Sequence, residues 1–128
     1  MADAKSLRCP GRTVLVVDDN ETARWILAEI LAVEGYTVVE ASSADEAMRR
    51  LVGCHGIRAV ISDIEMPGSM SGLEMAAQIR CRSPEIGVIL TSGRHQPAIE
   101  AIPAATTFIP KPWDPAEVIC VLEAMLAR

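Results

Sequence analysis

Aromatic side chains are nearly missing from this 128-residue chain, which has two Trp, one Tyr and one Phe. Its core must therefore be aliphatic. Half the residues are hydrophobic, enough for one globular unit of common domain size. Lysine is scarcer still, at two against ten arginines, and the formal net charge is −5. That balance excludes the basic stripe by which proteins hold nucleic acid. No apolar run approaches the ~20 residues of a membrane span. Residues 1–11 lack the apolar centre of a secretory signal. The expected location is therefore the cytoplasm, with no membrane contact. The four cysteines (Cys9, Cys54, Cys81 and Cys120) form no CxxC pair, which sets aside thiolate metal sites and redox motifs. Cys120 is expected to pack inside an apolar helix. His55 and His95 have no second ligand at helical spacing and read as surface or loop residues.

What is present begins with Asp18 and Asp19, at the end of the run Val14-Leu15-Val16-Val17. Four branched apolar residues in succession read as a strand buried on both faces. Two like charges at its tip repel each other and resist burial unless a cation joins them. In an open parallel sheet the carboxyl ends of the strands form the ligand-binding edge.

Strand and helix then alternate along the chain. A strand over 13–17 leads to a helix over 21–33, capped by Asn20 and stopped by Gly35. A second strand covers 37–40. Ser43 with Glu46 is a capping box for a helix to about Val52. The third strand, 59–62, ends at Asp63. After the loop from Met66 to Ser71, a second capping box, Ser71 with Glu74, opens a helix to about Arg82. The fourth strand, Ile86 to Leu90, ends at Thr91. A short fifth strand, Thr106 to Ile109, precedes Lys111. Asp114, Pro115 and Glu117 then start the last helix with a cap, a proline at its first position and a reciprocal glutamate. Alternation of this kind predicts an α/β fold with a doubly wound, five-stranded parallel sheet, flavodoxin-like, in the order 2-1-3-4-5. Pro97 and Pro103 interrupt the segment between the fourth and fifth strands, so the fourth helix is expected to be shortened or irregular.

Strands one and three are neighbours at the switch point of that order, so Asp18, Asp19 and Asp63 are expected to share one crevice. Three carboxylates suit Mg²⁺, which binds through one or two carboxylates, waters and phosphate. Thr91 and Lys111, across the crevice, suit a phosphoryl group.

With these residues in place the chain resembles the receiver domains of bacterial response regulators. The resemblance rests on VLVVDDN (14–20), SDIEMPG (62–68), LTSG (90–93) and FIPKPW (108–113), in family order and at near-family spacing. It implies a receiver over 12–128 with an N-terminal extension over 1–11 and no output domain. It implies that Asp63 takes a phosphoryl group from a histidine kinase or a histidine phosphotransfer protein. Asp19 and Asp63 would bind Mg²⁺ directly, Asp18 largely through metal-bound water, and Glu65 through its backbone carbonyl. Thr91 and Lys111 would hold phosphoryl oxygens. Phe108 would be the switch aromatic that turns inward as Thr91 moves, against the plainer reading of a core residue. The Lys111–Pro112 bond would be cis. Glu65 and Gly93 stand where the family tunes the lifetime of the phosphoryl group. The implied protein is a phosphoacceptor that signals to a downstream protein effector, not a turnover enzyme.

Two departures lie in the loop after Asp63: it is one residue longer than the common form, and Ser71 replaces a frequent acid or amide. The irregular fourth helix makes the usual dimer face atypical. On the first helix Ala23, Ile26, Leu27, Ile30 and Leu31 form the expected inner face. Trp25, with Ala28 and Ala32, points outward, either as an anchor for a partner or folded onto its own surface. Trp113 reads as packing, and Arg94 and His95 as facing solvent. Two rival readings are a receiver module cut from a larger hybrid kinase or transcription regulator, and a Mg²⁺-dependent phosphohydrolase with an aspartate nucleophile. Against the latter, no second aspartate follows Asp63 at the spacing a DxD requires, although Glu65 stands two residues on.

Overall fold

Five consecutive residues, Thr13–Val17, are buried without polar alternation. This strand, β1, has neighbours on both edges and helices on both faces, which is why its sequence shows no polar side. The computed structural model describes residues 12–54, 56–66, 68–93, 102–103 and 105–127. Within them the elements run β1, α1 (Glu21–Val33), β2 (Thr37–Ala41), α2 (Ala44–Gly53), β3 (Ile57–Asp63), α3 (Gly72–Arg82), β4 (Gly87–Ser92), β5 (Thr106–Pro110) and α4 (Pro115–Leu126). All neighbouring strands are parallel and the sheet order is β2-β1-β3-β4-β5, as the alternation predicts.

The period of two divides the core. Val14 and Val16 pack with Leu27 and Leu31 of α1 and Val118 and Leu122 of α4. Leu15 and Val17 pack on the other face with Ala47 of α2 and Met75 and Ile79 of α3. No helix among the described residues is long and apolar enough to cross a membrane.

The helix ends follow the sequence signals closely. Asn20 Oδ1 accepts from the Ala23 N–H at 2.8 Å. At the other end of α1, Gly35 at φ +96° lets its own N–H and that of Tyr36 reach the carbonyls of Ala32 and Leu31. Ser71 and Glu74 form the complete reciprocal box. At α2 only half of the expected box forms. Ser43 Oγ accepts from the Glu46 N–H, but the Glu46 carboxylate turns one residue further back, to the N–H and hydroxyl of Ser42. Asp114 caps α4 through the Ala116 N–H.

Two facial assignments require correction. Cys120 is exposed rather than packed inside α4. Val118 and Leu122 face the sheet, and Cys120, two residues from each, falls on the opposite side. On α1 the buried stripe is Leu27, Ala28 and Leu31. Ala28 is thus inside, not beside Trp25, while Ile26 is 44% exposed. Trp25 does point outward, at 58% exposure. The expectations for Cys9, His55, Arg94, His95 and most of the segment between β4 and β5 lie outside the described residues.

Candidate functional site

Strand register brings the chemistry to one edge. Asp63 ends β3 and is paired with Thr91 of β4. β1 lies beside β3, with Val17 opposite Ser62, so Asp18 emerges next to Asp63. The Lys111 N–H donates to the Ser92 carbonyl at 2.9 Å, continuing the β4–β5 ladder one step past Pro110. The Lys111–Pro112 bond is cis. A cleft of about 410 Å³ results, lined by Asp18, Asp19, Asp63, Glu65, Gly93 and Lys111 among others.

Asp18 is buried and every polar group it carries is engaged. Its N–H donates to the Ala41 carbonyl at 3.1 Å, and its own carbonyl accepts from Arg24 Nη1 at 2.8 Å. Oδ1 accepts from the Asn20 N–H at 2.9 Å, and Oδ2 lies 3.3 Å from Lys111 Nζ. Asp19 is exposed. Asp63 Oδ2 is 3.6 Å from Lys111 Nζ, while Oδ1 is buried with no hydrogen-bond partner. Burial pushes the Asp63 carboxyl above its ordinary range. Lys111 pulls it back, and the charges of Asp18 and Glu65 push it up again.

Asp18, Asp19 and Asp63 each offer an oxygen within 4.8 Å of the other two. Hard oxygen donors in that number, one of them a buried acceptor lacking a donor, fit a small divalent cation such as Mg²⁺. Thr91 is buried, and its carbonyl accepts from the Ile64 N–H at 2.8 Å. Phe108 is half-buried and packs against the core on the α2–α3 face. Glu65 lines the cleft, and its carboxylate accepts from Ser92 Oγ at 2.7 and 3.0 Å.

Three supporting residues carry little or no signal in the sequence. A Cβ at Gly72 would overlap the Asp63 carbonyl oxygen and sit 2.9 Å from Ile64 Cα, so α3 starts against the backbone of the site. Its only sequence signal is a glycine directly after a helix cap. Ser92 binds Glu65 through its hydroxyl and Lys111 through its carbonyl, which no spacing announces. Arg24 had a weak signal: a cation one turn into a helix opposes the dipole and implies a partner elsewhere.

A family model described as the response regulator receiver domain matches residues 14–123. The chain belongs to that receiver family. It is 33% identical to the transcriptional regulatory protein AruR of Pseudomonas aeruginosa, over 90% of this chain and 49% of that protein. It is also 33% identical to the DNA-binding transcriptional regulator NtrC of Salmonella typhimurium, over 90% of this chain and 25% of that one. This receiver thus spans half or less of the length of these two relatives. A response regulator receiver domain protein from Clostridium thermocellum superposes with a TM-score of 0.84 at 27% identity, covering 91% of this chain and 95% of that one. The receiver family is a signalling family of two-component systems and binds Mg²⁺ at an acidic pocket. In this receiver Asp18, Asp19 and Asp63 cluster at the carboxyl edge of the neighbouring strands β1 and β3.

Proposed function

We propose that this receiver accepts a phosphoryl group on Asp63 from a histidine kinase or a histidine phosphotransfer protein and signals through protein contacts. The observation that supports this most is the environment of Asp63. It is a largely buried carboxylate with one orphan oxygen, flanked by two further aspartates and facing a lysine. A carboxylate is a poor nucleophile and repels a phosphoryl donor, so a cation is needed on the approach. When bound, Mg²⁺ supplies positive charge that offsets this repulsion and stabilises the charge spread over the transferring oxygens.

The chain's own residues divide the remaining work. An Asp63 oxygen attacks phosphorus, the P–N bond to the donor imidazole breaks, and the electron pair leaves with the imidazole. Lys111 Nζ, already between Asp18 and Asp63, follows the charge onto the phosphoryl oxygens. Thr91, in register with Asp63, donates its hydroxyl to the same oxygens. Asp19 and Asp63 would hold the metal directly. Asp18, whose oxygens already face Asn20 and Lys111, would act on the metal through water rather than directly. The Glu65 carbonyl would be the remaining protein ligand, and Phe108 would read out the movement of Thr91.

The donor approaches over α1. Ala23, Ile26, Pro112 and Trp113 line an apolar groove of about 440 Å³ that shares Gly93 and Lys111 with the acidic cleft. Trp25 stands exposed on the same helix. Apolar side chains of a donor helix fit that groove and bring the phosphohistidine to Lys111.

Intact-mass measurement after incubation with acetyl phosphate and Mg²⁺ tests this reading. The wild-type chain gains one phosphoryl group, and Asp63→Asn and EDTA-treated samples gain none. Equal labelling of wild type and Asp63→Asn overturns it.

A further inference from the structure

Arg24 is 17% exposed at its side chain and lies one turn into α1, outside the acidic cleft. Its guanidinium makes two bonds in different directions. Nη1 donates to the Asp18 carbonyl at 2.8 Å, and Nε donates to Glu40 Oε1 of β2 at 3.0 Å. Three elements, the β1 tip, α1 and β2, are thereby joined at one planar group.

The Asp18 carbonyl belongs to the peptide that links Asp18 to Asp19. On its amino side Asp18 is held by the Ala41 carbonyl, and beyond Asp19 the chain is held by the Asn20 N–H on Asp18 Oδ1. The Arg24 bond fixes the peptide plane in between. Asp19 is exposed, and the plane of the peptide before it sets the direction in which its side chain leaves the backbone. Glu40 has a second effect. A lone guanidinium here would repel a divalent cation, and the Glu40 carboxylate cancels that charge while aiming the fork.

We infer that Arg24 is a positioning residue for the cation site. Through the Asp18 carbonyl it presets the Asp18–Asp19 turn for a divalent metal, and Glu40 makes the clamp electrically neutral. This rests on the proposed Mg²⁺ site and adds to it a residue that touches neither metal nor phosphate. Geometry and Coulomb forces predict opposite signs, so the two can be told apart. Removing a nearby positive charge should by itself tighten binding of a cation. Removing a clamp should weaken it.

The test is calorimetric titration of the metal-stripped full chain with Mg²⁺, alongside thermal unfolding of the metal-free protein. Arg24→Met should weaken Mg²⁺ binding by roughly tenfold, the range for partners that orient metal ligands. The double variant Arg24→Met/Glu40→Gln carries wild-type net charge and should bind as weakly as Arg24→Met. Arg24→Lys keeps the charge without the fork, should also bind more weakly than wild type, and carries the test if Arg24→Met fails to fold. Tighter or unchanged binding by Arg24→Met overturns the inference, as does wild-type affinity in the double variant or in Arg24→Lys. A wild-type chain that binds no Mg²⁺ overturns the site itself. Normal wild-type binding with unaffected variants overturns the clamp alone.

Discussion

Lys111 Nζ stands 3.6 Å from Asp63 Oδ2, beyond a short charge-assisted hydrogen bond yet close enough for a strong field. The same ammonium lies 3.3 Å from Asp18 Oδ2, so it bridges two carboxylates without being committed to one. A phosphoryl group arriving at Asp63 can therefore draw it over. Lys111→Met should reduce labelling by acetyl phosphate by at least about 100-fold, the usual cost of losing one preorganised donor. Mg²⁺ affinity should stay the same or rise, because a competing cation is gone. Labelling kinetics and calorimetry on the same variant check the two signs together.

The raised pKa of Asp63 links the site to stability. A carboxyl whose folded pKa exceeds its unfolded value costs stability in its charged form. The cost is absent below the unfolded pKa, about 4 for Asp. It grows as pH rises through the folded value and is full above it. Metal-free Asp63→Asn should therefore unfold at a higher temperature than wild type at pH 7.5. The gap should close as pH falls to about 4. Thermal unfolding in EDTA across that range measures it, and saturating Mg²⁺ should stabilise wild type selectively.

Gly72 holds α3 against the strand that carries Asp63. Gly72→Ala forces a Cβ into the Asp63 carbonyl and the Ile64 Cα, both backbone, so no side chain can swing away. Destabilisation of about 1–3 kcal/mol is expected, read by urea unfolding. Labelling should fall as well, since the strain displaces Asp63 itself.

Trp25 separates surface from core. At 58% exposure its loss should change stability by less than about 0.5 kcal/mol. Labelling of Trp25→Ala by acetyl phosphate, which needs no docking, should match wild type. Transfer from a phosphorylated histidine donor should slow. The ratio of the two rates is the measurement.

The sheet was legible because β1 is buried on both faces, and an unbroken apolar run as short as Val14-Leu15-Val16-Val17, ending at two carboxylates, suits a central parallel strand. The caps were legible because they are local: Asn20, Ser71 and Asp114 satisfy N–H groups two or three residues away. The convergence of Asp18, Asp63, Thr91 and Lys111 followed from sheet order alone, since each sits at or just past a strand end. Contacts set by tertiary approach were not legible. The reach of Arg24 to Asp18 and Glu40, the hydroxyl of Ser92 on Glu65, and the need for a bare Cα at Gly72 depend on how elements meet. Facial errors had one cause. On α1 and α4 most residues are apolar or small, so composition barely marks the buried stripe, and packing alone decides the sides of Ile26, Ala28 and Cys120.

The most direct measurement concerns the residue that carries the phosphoryl group. The chain is labelled with acetyl phosphate and Mg²⁺, then reduced with borohydride, which converts an aspartyl phosphate to homoserine. Peptide sequencing by mass spectrometry locates the product. Homoserine at position 63, and its loss when Mg²⁺ is withheld, is the predicted result. Homoserine at position 18 or 19 instead, or none in a chain that binds Mg²⁺ normally, would contradict Asp63 as the acceptor.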